Sequence, residues 1–351
     1  MKTKLLFASA GLAAAGLVQA QNSVTIYGIA DIGVEYLSNA ARNGASNDSV
    51  VRLSSGNLAG SRLGFRGTED LGGGMKAVFQ LESGIELDTG ALAQGGRLFG
   101  RHAYVGLQGG LGTVTLGHQQ NSIYDLVIRH DPMTFSSRYS ALGHDATFAG
   151  RPDNTIKYTG TFGPVGATAF YSFGRNLDGE VPGSSKVSRN VGGGISYTEG
   201  AAGLALAYDQ YQGNTIPTAG QSARRWVLGG SYAMGPFKGM FGYRWLKDEI
   251  VAAGATPIKS NLYWLGGVYD VTPALKLTGV AYYTDRRDSN ADPLSLVFSA
   301  DYSLSKRTDV YATVGHVRNK SGSNFGLNGI GSSVIAGEDQ TGLVVGLRHR
   351  F

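Results

Sequence analysis

The sequence predicts an all-β protein, a sixteen-stranded antiparallel transmembrane β-barrel, and three observations carry that prediction. Polar and apolar residues alternate with period two along most of the chain. The breaks between alternating runs are by turns short and long. The composition joins 54 glycines in 351 residues, about 15%, to a charged fraction of only 16%, where soluble domains average about 7% glycine and about 25% charge. That much glycine disfavours helices, since each interior glycine costs roughly 1 kcal/mol relative to alanine. The glycines have no three-residue period and there are only 9 prolines, which excludes collagen. With 18 Tyr and 14 Phe the chain is too aromatic to be disordered.

Residues 1–20 read as a secretory signal peptide: Lys2 and Lys4 precede an apolar stretch from Leu5 to Val18, and Val18 and Ala20 stand at the −3 and −1 positions before Gln21. The apolar stretch is too short to span a bilayer, which takes about 20 residues. Removing it takes two lysines and leaves 29 basic and 26 acidic residues, a net charge of +3. That bias is too small for a nucleic-acid partner. Beyond residue 20 no run approaches 18 apolar residues, so residues 21–351 are expected to form one barrel domain without a transmembrane helix. The absence of cysteine excludes disulfides, thiolate catalysis and thiolate zinc sites.

The first strand, Val24 to Tyr36, sets Val24, Ile26, Ile32 and Val34 on one face and Thr25, Tyr27, Asp31 and Glu35 on the other. The same division recurs at Met75, Ala77, Phe79, Leu81 against Lys76, Gln80, Glu82, and at Leu275, Leu277, Ala281 against Lys276, Thr278, Thr284. Short breaks stand near Gly67 to Gly74, Gln108 to Gly112, Gly160 to Val165, Thr198 to Gly203, Ala233 to Phe237, Asp270 to Ala274 and Ser303 to Arg307. Longer segments lie near 38–49, 88–96, 120–150, 174–188, 212–222, 247–258, 285–292 and 319–337. Seven short turns between eight hairpins make sixteen strands with both chain ends at the short-turn rim, the pattern of an outer-membrane barrel. A soluble sheet of that many long strands would leave edges unprotected, and closure removes them. The last strand, Thr341 to Phe351, sets Leu343, Val345, Leu347 and Phe351 on one face and stops on an aromatic ring, which suits a rim at the membrane interface.

With these elements in place, the whole chain after residue 20 resembles the general diffusion porins of Gram-negative bacteria, of the beta-proteobacterial type. The resemblance rests on Ser23-Val24-Thr25-Ile26-Tyr27-Gly28, on the ordered run from Ser61 to Ala77, on Arg101-His102-Ala103-Tyr104-Val105-Gly106-Leu107, on Asn154-Thr155-Ile156-Lys157-Tyr158 and on the ending Gly346 to Phe351. It implies a homotrimer in the outer membrane among lipids and lipopolysaccharide. It also implies a C-terminal strand ending in Phe351 as the signal to the assembly machinery, and a third loop folded into the lumen. Residues 120–150, between the fifth and sixth strands, are the candidate for that loop.

A diffusion pore acts at its narrowest section, where fixed charges concentrate the opposite ion and repel the like one. Arg62 and Arg66 lie opposite in phase to Leu63 and Phe65 on the second strand and so face the lumen. The family's cluster of wall arginines matches Arg62, Arg101 and Arg151. Arg101 is in phase with Ala103, Val105 and Leu107, so either a bulge shifts the phase or His102 lines the pore instead. Glu82, in phase with Lys76 and Gln80, is the candidate wall carboxylate. Within the loop, Arg129 and Arg138 would add to the positive field, and Asp125, Asp131 and Asp145 would oppose it.

The six histidines are dispersed without metal-ligand spacing, which reads as water-facing or rim histidines and no metal site. Gly72 to Gly74 and Gly192 to Gly194 lack the context of a phosphate loop. No nucleophile elbow or zinc-protease motif occurs. These readings predict a passive channel for small hydrophilic solutes and ions, leaning toward anions, with neither catalytic residues nor a cofactor. An outer-membrane receptor or adhesin, or a barrel hydrolase, is the alternative.

Overall fold

A computed structural model describes residues 23–40, 48–176, 180–252, 254–327 and 334–351; the expected signal peptide lies outside the described residues. The strands of the first half are β1 (Ser23–Leu37), β2 (Val50–Ser55), β3 (Arg62–Gly72), β4 (Met75–Gly84), β5 (His102–Gly109), β6 (Gly112–His118), β7 (Thr155–Phe162) and β8 (Val165–Ser172). Those of the second half are β9 (Asn190–Glu199), β10 (Ala202–Gln212), β11 (Ser222–Met234), β12 (Phe237–Asp248), β13 (Ile258–Asp270), β14 (Leu275–Arg286), β15 (Leu294–Ser303), β16 (Thr308–Arg318) and β17 (Gln340–Arg350). Every strand pairs antiparallel with its neighbours in the sheet, and β1 closes the barrel on β17 with Ile29 opposite Arg350 and Leu37 opposite Gly342.

β2 and β3 share one partner. Val50 to Ser55 pair with Leu37 to Ile32, and Arg62 to Thr68 with Ile29 to Ser23. They are two halves of one stave, interrupted by residues 56–61, and counting them together gives the sixteen-stranded antiparallel barrel that the turns predict. The first short turn is tighter than expected. β3 runs to Gly72 and only Gly73 and Gly74 turn, because Gly67 is a strand residue whose missing side chain makes room for the Phe79 ring across the ladder.

The alternation separates lipid from lumen. On β1 Val24 and Ile26 are 65% and 62% exposed on the outside, while Asp31 and Glu35 are fully buried inside. Exposed Phe162, Tyr197, Tyr232, Tyr269 and Tyr302 ring the short-turn rim, and Trp226 on Tyr208 and the Tyr243, Tyr263, Tyr283 stack ring the other. Two aromatic girdles around an apolar band are what a bilayer selects in a barrel. No helix among the described residues is long and apolar enough to cross a membrane.

Residues 119–154 leave the wall between β6 and β7 and fold inward, beginning with a helix, Ser122–Val127, whose N-cap Asn121 accepts from the Tyr124 N–H. Ile123, Leu126, Val127, Met133, Phe135, Tyr139, Leu142 and Phe148 of this segment are buried against Leu37, Val227, Leu262, Trp264, Tyr282, Val297 and Val344 of the wall. At the level of the loop this packing fills the interior along β9 to β17; toward the short-turn rim a cavity of about 400 Å³ opens between the loop and Lys238, Asp270, Lys276, Asp301 and Arg350 of that wall.

Candidate constriction of the lumen

Three devices seat the loop. The first is shape: a side chain at Gly229 would press on His130 Cβ at 2.9 Å and on its ring at 3.2 Å, and one at Gly342 on the Tyr139 hydroxyl at 2.7 Å, so glycines on the lumen face are where the loop lies against the backbone. The second is polar pinning. The Tyr282 hydroxyl donates to Asp131 Oδ1 at 2.6 Å, Trp264 Nε1 donates to the His130 carbonyl at 2.9 Å, and both ring nitrogens of His144 lie 2.9 Å from hydroxyls, Thr284 Oγ1 and Ser295 Oγ. The third is charge. Asp145 Oδ2 lies 2.9 Å from Arg225 Nε and 3.1 Å from Arg244 Nε, all three buried.

The electrostatics of these pins differ. Burial alone would raise the Asp145 carboxyl, but Arg225 and Arg244 outweigh it and hold it below the ordinary aspartate range. Asp131 has no cation; burial pushes it up to about 6 against the bonds from Tyr282 and the Phe135 N–H. Burial brings His144 down to about 3 and His130 to about 4, so both are neutral at pH 7. The expectation of water-facing histidines fails for these two, because they belong to the loop's buried underside. His130 is 1% exposed.

A second inward element narrows the lumen from the opposite wall. Residues 56–61 arch off the stave and are held by Asp31, whose Oδ2 accepts the N–H groups of Leu58 at 2.9 Å and Ala59 at 2.7 Å while Tyr311 donates to Oδ1. The arch brings Leu58 into the lumen and sets Gly60 to accept from Arg62 Nε at 2.8 Å. The run Ser54-Ser55-Gly56-Asn57 is a turn signal inside the second strand, and it was the one available clue to this break.

Between arch and loop lies a passage of about 220 Å³. Arg62, Arg101, Arg151 and Arg348 line its wall side, and Tyr124, Ile128, Thr134, Phe135, Leu142 and Ala149 its loop side. Arg101 stands just before β5, outside the alternation, so its guanidinium reaches the lumen and ion-pairs Glu82 at 2.5 Å while His102 pairs opposite Glu82 in register. The β4–β5 register runs without a bulge, and it is Arg101 rather than His102 that lines the passage. Burial and neighbouring Arg101 draw the Arg151 guanidinium down to about 9, which leaves it charged at pH 7. Arg348 is spent on Asp301 and Asp309.

The other candidates lie apart from the passage. Arg66 stacks over the Tyr27 ring at 5.1 Å, nearer the short-turn rim than Arg62. Arg129 is exposed at the loop's lower edge, with its carbonyl 3.5 Å from Lys238 Nζ, and Arg138 lies 3.5 Å from Glu35. None of the three loop acids lines the passage: Asp125 pairs with Lys157, Asp131 is held by Tyr282 and Asp145 by Arg225 and Arg244. At the seam Phe351 exchanges backbone bonds with Gly28 at 3.0 and 3.1 Å, and its ring covers that glycine. No cluster of metal-ligating residues occurs among the described residues.

Comparison with known proteins places this geometry. The family model described as Gram-negative porin matches residues 7–322. The chain is 35% identical to outer membrane porin protein 32 of Delftia acidovorans over 99% of both chains, and 30% identical to an outer membrane porin protein of Bordetella pertussis over 100% of both. Among solved structures, an anion-selective porin from Comamonas acidovorans superposes with a TM-score of 0.81 at 31% identity, covering 94% of this chain and 100% of that one.

Proposed function

The chain belongs to the family of Gram-negative porins, and from that premise we propose an outer-membrane channel whose passage admits small hydrophilic solutes and favours anions through Arg62, Arg101 and Arg151. One observation carries this reading: three guanidinium groups on the wall are offset by the Glu82 carboxylate alone, with no acid on the facing loop surface. The excess is two positive charges. At about 5 Å in water-like dielectric two charges are worth about 1.6 kcal/mol, and roughly 1 kcal/mol after screening in 0.1 M salt. That enriches a monovalent anion about fivefold in the passage and depletes a cation by the same factor. The anion-selective structure from Comamonas acidovorans favours the same sign.

The measurement is the reversal potential of single channels across a tenfold KCl gradient. Its sign should report chloride as the preferred ion. Arg62→Glu removes the excess and should bring the selectivity close to unity; an unchanged potential would remove Arg62 from the constriction, and cation preference in the parent protein would overturn the anion reading.

Catalysis has little to support it. His118 Nδ1 lies 2.6 Å from Asp153 Oδ1, the geometry of a catalytic pair, but its Nε2 is engaged by the Gly100 carbonyl at 3.0 Å rather than by a hydroxyl nucleophile. A homotrimer is part of the proposal because the wall is lowest at β5 to β8. Strands of 7 and 8 residues reach only about 20 Å when tilted, short of the ~25 Å apolar band. A neighbouring copy set against that stretch would shield it from lipid and lipopolysaccharide. Phe351, fixed at the seam, is proposed as the terminal signal for assembly.

A further inference from the structure

On the long-loop side of the passage a second cavity, of about 280 Å³, opens between the returning end of the inward loop and the β9–β10 wall. Asn121, Thr147, Arg151, Arg175, Asn190 and Tyr211 line it, and Arg151 also lines the passage, so a solute leaving this cavity inward meets the constriction directly. Arg175 lies flat on the Tyr211 ring with its guanidinium carbon 3.7 Å from the ring centre, and Arg225 approaches the same ring at 5.2 Å. Stacking uses the face of the guanidinium and leaves its in-plane N–H groups to be used. Among the described residues the buried Nε of Arg175 and of Arg151 have no hydrogen-bond acceptor. Neither nearby acid hydrogen-bonds these two Nε groups: Asp145 holds Arg225, and Asp209 accepts from Asn190 at 3.1 Å through Oδ2 while its buried Oδ1 has no hydrogen-bond partner among the described residues and offsets Arg175 through its charge alone. Two buried cationic donors without acceptors, beside a polar cavity on the path to the pore, form a site that lacks its ligand's oxygens.

The geometry points to Arg175, Tyr211 and Arg151 as a capture site for small oxyanions, the carboxylate and phosphate class, standing ahead of the constriction. A guanidinium edge takes two oxygens of such a group at once, whereas a halide offers a single sphere and gains only the charge. Tyr211 fixes the plane of Arg175, and Arg151 hands the anion on to Arg62 and Arg101. This deepens the anion-channel reading and rests on it, but the two fail separately, since the KCl reversal potential tests the constriction and phosphate competition tests this site.

The test adds inorganic phosphate to the long-loop side of single channels in KCl and follows the chloride current. Phosphate should reduce the current with saturation, and Arg175→Gln should raise the half-saturating concentration about tenfold. Arg175→Lys is the decisive partner because it keeps the charge and loses the stacked fork. A capture site predicts a rise approaching that of the glutamine variant, while a half-saturation equal to that of the parent would show a field effect alone and overturn the assignment. Tyr211→Phe keeps the ring and should leave phosphate block as it is; Tyr211→Leu should weaken it severalfold. Linear, unsaturating phosphate block in the parent would also overturn the site, whatever the reversal potential.

Discussion

Replacing Asp145 by Asn should release the inward loop from the far wall and leave the barrel standing. The carboxylate is 7% exposed, and the guanidinium groups it holds belong to residues 4% and 1% exposed. Removing one partner of a buried ion pair costs about 3–5 kcal/mol because the charge left behind is neither solvated nor paired, and here two arginines would also face each other. Among the polar pins that remain are Tyr282 to Asp131, Trp264 to the His130 carbonyl, and His144 to Thr284 and Ser295. At about 0.5–1.5 kcal/mol each these four contribute roughly 2–6 kcal/mol, so the loss matches all four together, with Tyr139 on Glu35 and Lys157 on Asp125 still holding the two edges of the loop. A change of that size multiplies the ratio of released to seated loop by two to nearly four powers of ten, at about 1.4 kcal/mol per tenfold. The closed ladder of backbone bonds is untouched, so the heat needed to unfold the barrel should shift little.

Single-channel recording in KCl reads the outcome as a higher mean conductance with flicker between levels. The companion variant is Asp145→Asn with Arg225→Gln and Arg244→Gln, which removes the orphaned charges, and it should be quieter than the single substitution because neutralising a whole buried network costs far less than breaking it. Parent-like conductance and noise in Asp145→Asn would refute the reasoning. So would equal flicker in the single and triple variants.

Three further outcomes follow from the same seat. Asp131 has a folded pKa of about 6 against an ordinary 3.8, so the folded loop binds the extra proton between those values. Stability from this group is complete below pH 4 and lost as pH rises through 6, by up to roughly 3 kcal/mol; flicker should increase from pH 5 to pH 8, and Asp131→Asn should flatten that profile. Gly229→Val drives a side chain into the His130 ring and should unseat the loop, raising conductance, whereas Gly220→Ala, with nothing within 4 Å, should behave as the parent in the same recording. Asp31→Ala orphans the Leu58 and Ala59 N–H groups that hold the arch, at roughly 1–3 kcal/mol each, and should widen the passage and weaken anion preference together; a larger conductance at unchanged selectivity would separate the arch from Arg62.

What was legible in the sequence was what is local. Period-two alternation on β1 needs only neighbouring residues, and it placed Tyr27, Asp31 and Glu35 on the lumen face, where Asp31 and Glu35 are buried and Tyr27 donates to Glu82. The turns read from glycine and polar runs for the same reason, apart from Gly67, whose role depends on a ring across the ladder. The inner wall was not legible, because its partners are remote. Asp31 meets the arch 27 residues away, and Asp145 meets Arg225 at a separation of 80. An aspartate in a lumen loop looks the same in sequence whether it confronts the solute or a wall arginine. Arg101 escaped the phase argument by standing just outside its strand.

The fate of the three loop acids bears on selectivity as much as on stability. A transverse field, with cations on one wall and acids on the other, orients a solute and discriminates only weakly by sign. Here each loop acid is withdrawn: Asp125 to Lys157, Asp131 to Tyr282, and Asp145 to two arginines at the far wall. The interactions that seat the loop therefore also strip its exposed face of negative charge, and the face turned to Arg62 and Arg151 is Tyr124, Ile128, Phe135 and Leu142. An apolar face lowers the local dielectric beside the arginines and lengthens the reach of their field. Loop anchoring and anion preference are in this way coupled, and a substitution at Arg225 and Arg244 that frees Asp145 should cost selectivity as well as widen the passage, because it returns an unpaired carboxylate to the lumen.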